Sequence, residues 1–455
     1  MSFSLLDDPL IGPLMASASM RDVFAGQTRL GAMIEVEVAI ARGQAKLGIV
    51  PEHLADAIGQ LTPDAFDMDA LVRGTMLAAV PVIPFVKALG SKLAADLEPY
   101  VHKGATTQDV FDTADTLLFR RAWDVLKPDI AATLKGLAAL ARRHAETPMA
   151  GRTYGQHAAT ITFGHRAAGW AAGMVDALDA LMPAIDRAMV VSYAGPVGTL
   201  AAFEERGPEV RDAVAAELKL QTTDGSWHVL RARRAALGAG LAILIGAAAK
   251  MARDVADQVS TEVGELAEPY IAGRGGSSAM PHKRNPVSAT VILAAANLSK
   301  SHAGVLLDAM VAGGERPAGT WMAEWAALPQ LFGLASGVFV EARRLAEGLE
   351  VVPERMRANL DLTRGMISAD AAAGVIAHHI GREAAHRKVE AAAARVRATG
   401  ATLLDELLRD KEVAGAVDSE SLALAFDWRP AIDAAALWTD RLLTRVPATV
   451  SALSA

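Results

Sequence analysis

The densest run of chemically capable residues is GRGGSSAMPHKRNP, from Gly273 to Pro286. Glycines at 273, 275 and 276 make the backbone permissive, Ser277 and Ser278 bring hydroxyls and N–H donors, and Lys283 brings a cation. Asn285 and Pro286 look like the N-cap and first-turn residue of a following helix. Such a segment can close over an anion and hold a hydroxyl whose pKa is lowered by donors and positive charge. By composition alone it reads equally well as a surface loop ending in a helix cap. It is not a phosphate-binding P-loop, because no Lys-Ser or Lys-Thr follows the glycines at the required spacing, and it lacks the three-glycine dinucleotide fingerprint. A second segment, YVHKGATTQD from Tyr100 to Asp109, breaks a helical pattern with Gly and consecutive Thr and reads as a loop. A third candidate, His157, stands beside Ala residues; taken alone, such a histidine is more often hydrogen-bonded in a core than catalytic.

The elements that must position these groups are helices. Apolar residues make up 52% of the 455-residue chain but aromatics only 5%, so the core material is largely Ala, Val, Leu, Ile and Met, which suits close helix packing. Residues 28–48 read as an amphipathic helix with Met33, Ile34, Val38 and Ala41 near helical spacing, stopped by Gly48 and Pro51. Long helical stretches are expected at roughly 112–147, 159–190, 229–266, 287–311 and 321–347, longer than the average of about 11 residues and typical of a bundle. Strand signals are sparse. The expected organisation is all-α: an N-terminal helical domain over 1–110, a long-helix bundle over 111–352 carrying the loop 273–286, and a C-terminal helical domain over 353–455. The most apolar stretch, Ala235 to Ala249, is shorter than the ~20 residues a membrane span needs and is diluted by three glycines. It must be covered all round, which points to assembly of several chains and away from a membrane. A net charge of −7, with Lys and Arg interspersed among Asp and Glu, disfavours nucleic acid as a partner. No cysteine is present, so a disulfide framework, a thiolate nucleophile and cysteine-ligated metal are excluded; a reducing cytoplasm fits. The N-terminus, with Asp7 and Asp8 among its apolar residues, does not read as a signal peptide.

GSSAMPHKRNP resembles the signature loop of the fumarase/aspartase superfamily. Two other segments resemble its remaining motifs, in order: His102 to Asp109 is similar to His-x-Gly-Ala-Thr-Ser-Gln-Asp, with Thr107 where Ser is usual, and Gly151 to Ala158 is similar to Gly-Arg-Thr-x-x-Gln-His-Ala. The resemblance, over about residues 20 to 440, implies Ser277 as catalytic base, Lys283 and Asn285 as ligands of a substrate carboxylate, and His157 as a second catalytic group. It also implies substrate contacts from His102, Thr106, Thr107, Gln156 and Ser278. No cofactor and no metal are implied. The architecture implied is a homotetramer whose sites are each assembled from three subunits.

Residues elsewhere bear on the branch. Glu315-Arg316 followed by Trp321-x-x-Glu324-Trp325 resembles a segment of the muconate cycloisomerases, as do Trp227-His228-x-x-Arg231 and Asn359 to Thr363. Arg364 and Ala232 depart from that branch, where Gln and Asp are familiar. Arg316, Trp321 and Trp325 are therefore expected at the substrate, although a Trp pair four residues apart also suits packing along one helix face. The implied activity is lactonisation of 3-carboxy-cis,cis-muconate, a step of protocatechuate breakdown. The alternatives are adenylosuccinate lyase or another C–N lyase of the superfamily and, from a different class, an inactive helical structural or adaptor protein.

Overall fold

The computed structural model describes residues 4–454, and helices dominate it. The five long helices are Thr107–Arg143, Phe163–Ala188, Ala232–Gln258, Val287–Asp308 and Thr320–Gly348. Each lies close to its expected span. Two differences matter for the site. The Thr107–Arg143 helix begins earlier than expected, so Thr107, Gln108 and Asp109 stand in its first turn and not in a loop. The reason is local: the Thr106 backbone N–H donates to the Asp109 carboxylate at 3.0 Å, and the N–H of Asp109 returns to the Thr106 carbonyl at 3.0 Å, which nucleates the helix in spite of the consecutive threonines.

The second difference is a β-hairpin, β1 (Pro148–Thr153) with β2 (Gln156–Thr162), paired antiparallel with an irregularity at Gly151/Arg152. Its two-residue turn places Tyr154 at φ 50° and Gly155 at φ 76°, the left-handed pair that a tight hairpin turn demands. Gln156 and His157, read from the sequence without a secondary-structure assignment, open β2.

By its contacts the chain divides into two compact units, each drawn from separated stretches of sequence. The first comprises the chain up to Pro128 with Asp176–Gly246 and Val291–Val340; the second comprises Asp129–Val175, Ala247–Thr290 and Glu341 onward. Every long helix contributes residues to both. In the first unit, glycine brings helices together as the composition suggested. A Cβ on Gly240 would lie 2.8 Å from Leu181 Cδ1, and one on Gly238 would overlap Leu306. The apolar stretch 235–249 is covered on one side only: Leu237, Leu241, Leu244, Ile245 and Ala248 are buried, whereas Ile243 is 53% exposed and Gly246 is exposed too. By length and composition two helices, Ala232–Gln258 and Val287–Asp308, could cross a bilayer; 56% of the first one's most apolar window is already buried against this chain.

Candidate active site

The second unit holds the signature loop. Its ends are fastened and its middle is not. At the front, Arg274 pairs with Glu341 and donates to Ser288 Oγ at 3.2 Å. Gly275, at φ 69°, brings its carbonyl to the Asn285 N–H at 2.8 Å, and a Cβ there would meet the Asn285 carbonyl oxygen at 2.5 Å, so only glycine fits. At the back, Arg284 donates to the Glu268 carbonyl at 2.6 Å and to Glu350 at 3.1 Å. Between these anchors the Ser277 hydroxyl oxygen accepts, among the described residues, only from the local N–H groups of Ala279 and Met280, at 3.3 and 3.1 Å. Ser277 is half-buried; Ser278, Lys283 and Asn285 are exposed.

The expected cap is not the one used. The helix after the loop starts at Val287, and its first N–H groups, those of Ser288 and Ala289, are taken by the Glu268 carboxylate at 3.0 and 2.9 Å. A carboxylate at a helix N-terminus satisfies orphan donors and complements the dipole, so it displaces Asn285 from that role. Lys283 and Asn285 instead line a cavity of about 600 Å³ with Arg274, His282 and Glu268. Ser277 is not among the residues lining it.

Also in the second unit, Arg152 of β1 makes a two-pronged bond to the buried Glu265, at 2.9 and 2.6 Å, and Asn359 Nδ2 adds a third donor at 2.8 Å. Asn359 thus belongs to the support of the hairpin. His157 pairs across the strand with Arg152. Its pKa is lowered by burial and then by the Arg152 charge, which outweigh Glu265, so the imidazole is neutral near pH 7. Among the described residues its buried Nδ1 has no partner, while Gln156 is exposed.

The first unit holds the other motif. Asp109 is its hub: it accepts from the N–H groups of Thr106, Ala194 and Gly195, and its Oδ1 lies 2.7 Å from Nε2 of the buried His228. Arg316 donates to Thr106 Oγ1 at 2.9 Å, to Gln108 Oε1 at 3.2 Å and to the Pro196 carbonyl at 3.2 Å. Thr107 is half-buried beside them. Behind this turn, Asp112 binds Arg231 at 2.8 Å; Arg231 also donates to Glu324 at 2.8 Å; and the Trp321 indole N–H reaches Asp112 at 3.0 Å. Burial pushes the Asp112 carboxyl up, but Arg231 and Arg234 together hold it below its ordinary range. These residues are buried. Trp227, His228, Arg231, Trp321 and Glu324, singled out by sequence as marking a branch, are therefore the support behind the 106–109 turn. Trp321, expected at the substrate, is 4% exposed and crosses Trp325 edge-on at 4.9 Å, which is packing. Trp325 is half-buried and lines a separate cavity with Arg21 and Arg29.

Among the described residues no group of three or more His, Asp or Glu side chains is placed to hold a metal ion. Sequence reading assigned no role to Asp109, Asp112, Glu265 and Glu268, nor to Glu37, whose Oε1 lies 2.6 Å from His102 Nδ1; each holds another group. Asp109 was the most accessible of them, since the spacing Thr106 to Asp109 is that of a helix-capping pair.

The chain is similar to known proteins over most of its length. A family profile described as lyase matches residues 14–297. A 3-carboxy-cis,cis-muconate cycloisomerase of Bradyrhizobium diazoefficiens is 40% identical, the alignment covering 96% of this chain and 97% of that protein. A nitrosuccinate lyase of Streptomyces davaonensis is 41% identical, over 90% and 89% respectively. The crystal structure of the 3-carboxy-cis,cis-muconate lactonizing enzyme from Pseudomonas putida superposes with a TM-score of 0.90 at 34% identity, covering 98% of this chain and all of that one. The signature-like loop, the hairpin histidine and the capped 106–109 turn thus sit on the fold of such enzymes, and the chain belongs to the lyase family of the fumarase/aspartase superfamily.

Proposed function

We propose that the protein is a cofactor-independent cycloisomerase that lactonises 3-carboxy-cis,cis-muconate. The observation that carries this reading is the convergence of the branch-marking residues. Trp227, Arg231, Trp321 and Glu324 come from separate stretches of sequence, yet they form one buried network: Arg231 and Trp321 donate to Asp112, while Glu324 and the Trp227 ring contact Arg231; muconate cycloisomerases are similar over nearly the whole chain. In the reaction a carboxylate oxygen of the substrate adds to a conjugated double bond. A C–O bond forms, the π electrons pass into a second carboxylate as an aci-carboxylate dianion, and the α-carbon then takes a proton. Lys283 and Asn285, on their cavity, supply charge and an N–H donor where the dianion develops. Ser277 delivers the proton and recovers it from water.

A neutral His157 suits this chemistry. In reverse the leaving group is a carboxylate, which departs without a strong general acid, so an imidazole that orients a substrate carboxylate is sufficient. His102, Thr106, Thr107, Gln156, Ser278 and Arg316 are assigned to substrate contacts. The protein is further proposed to work in the cytoplasm as a homotetramer in which a complete site needs more than one copy; the open stripe at Ile243 and Gly246 supports assembly.

A second reading, a C–N lyase of the same superfamily, is favoured by the 41% identical nitrosuccinate lyase. Mixing the purified protein separately with 3-carboxy-cis,cis-muconate, nitrosuccinate and adenylosuccinate decides between them. The expected outcome is loss of the conjugated diene's ultraviolet absorbance, undiminished by chelator, with the other two compounds unconsumed. Turnover of either of those with the muconate untouched would replace the assignment.

A further inference from the structure

The turn carrying His102 is held by a buried polar face of the Gly26–Lys46 helix. Glu37 and Gln44 lie two helical turns apart and so share that face, amid buried Leu30, Met33, Ile34, Ile40 and Ala41. Gln44 Nε2 donates to the Lys103 carbonyl at 2.8 Å and to the Tyr193 hydroxyl at 2.7 Å, and that hydroxyl donates to the same carbonyl at 2.7 Å. Glu37 is 1% exposed, and its Oε1 lies 2.6 Å from His102 Nδ1. The backbone is committed to this arrangement. His102 takes a left-handed φ of 59°, and Gly104, at φ 73°, packs so closely on Phe203 that a Cβ would overlap the ring.

A buried carboxylate that stays ionised needs a charged partner bonded to it. Among the described residues Glu37 Oε2 has no hydrogen-bond partner, so the burden falls on His102. The other titratable groups around the turn do not relieve it. Asp109 adds negative charge but is occupied by His228; the Lys103 ammonium is turned to the Ile49 carbonyl and the Tyr100 ring; Tyr193 stays protonated because burial raises its pKa well above the ordinary value. Burial works against a charged His102, yet Glu37 and then Asp109 outweigh it and raise its pKa.

We propose that Glu37 is a positioning residue that fixes His102 as an imidazolium, its Nδ1–H on the carboxylate, leaving Nε2–H as a charged donor for a carboxylate of the substrate. The inference rests on the assignment of His102 to substrate binding above. It makes His102 and Glu37 a unit in which one group touches substrate and the other keeps its charge and orientation.

The test reads His102 directly and needs no substrate. Diethylpyrocarbonate modifies histidine only as the neutral imidazole, so peptide mass spectrometry across a pH series gives the midpoint of His102 ionisation. In the wild type that midpoint is expected above about 6.5, the ordinary histidine value. Glu37→Gln keeps the length and an acceptor but removes the charge, and should lower the midpoint by about one pH unit or more, whereas Glu37→Asp should restore most of it. With the substrate that the wild type turns over, Glu37→Gln should raise KM about tenfold, with a smaller change in kcat, and the loss should deepen as pH rises. A wild-type midpoint at or below about 6.5, or equal midpoints in the wild type and a folded Glu37→Gln, would overturn the proposal. Should Glu37→Gln not fold, the wild-type midpoint alone decides. A raised midpoint in a protein that ignores the muconate would leave the pair standing and sink the substrate assignment instead.

Discussion

Ser277 and Lys283 sit on one loop in different surroundings, and that difference predicts different defects. The Ser277 hydroxyl is held only by two local N–H groups, whereas Lys283 faces a cavity of about 600 Å³. If Ser277 moves the proton, Ser277→Ala should lower kcat at least about 100-fold, the scale of general acid–base catalysis, and leave KM within a few fold. Lys283→Met should damage both. Steady-state kinetics separate the two, and equal losses of affinity and turnover in Ser277→Ala would recast the serine as a binding group. At this scale the sequence singles out candidate reactive groups and is silent about most of the carboxylates that hold them. Ser277, Lys283, Asn285 and His157 are reactive types in a distinctive local order. Glu37, Asp109 and Glu265 are ordinary carboxylates whose meaning comes from His102, His228 and Arg152, each remote in sequence. Trp321, chosen for its type and spacing, has its N–H on Asp112, a partner its local sequence does not indicate.

Among the elements, the long helices were legible because their apolar periodicity repeats over many turns, and their ends were less so. The start at Thr107 depends on the Asp109 side chain, and the start at Val287 on Glu268 from a preceding stretch, which no local pattern around Asn285 encodes. The hairpin escaped notice because β2, GQHAATIT in context, alternates weakly and its turn is Tyr-Gly instead of the stronger Asn-Gly signal. Glu268 offers a test of the element that anchors the signature loop. Glu268→Ala leaves the N–H groups of Ser288 and Ala289 without their acceptor and should cost about 1–2 kcal/mol of stability, the upper range for loss of a helix cap. Denaturant unfolding measures it, and Asn285→Ala, which removes no cap, should cost less. Equal losses in the two variants would return Asn285 to the capping role.

At the scale of the whole molecule, the motifs are divided: the 102–109 turn and Arg316 belong to one compact unit, the hairpin and the signature loop to the other. If complete sites require several copies, Ser277→Ala and His157→Asn, each inactive alone, should regain part of the wild-type activity when refolded together, because mixed tetramers contain some intact sites. No recovery from demonstrably mixed tetramers would exclude shared sites. The fold as a whole was legible as helical from composition and spacing, while the interleaving of the two units was not, since periodicity says where a helix runs and nothing about which neighbour each end joins. The half-covered helix Ala232–Gln258 carries a last consequence. Ile243 and Gly246 lie on a face that one chain leaves wet, and if only a second copy can dry it, the working catalyst has a dissociation constant. Activity per mole of protein should then fall on extreme dilution and recover slowly on reconcentration, and the melting temperature should climb with protein concentration; in the cell, the amount of enzyme made would set how much of it works.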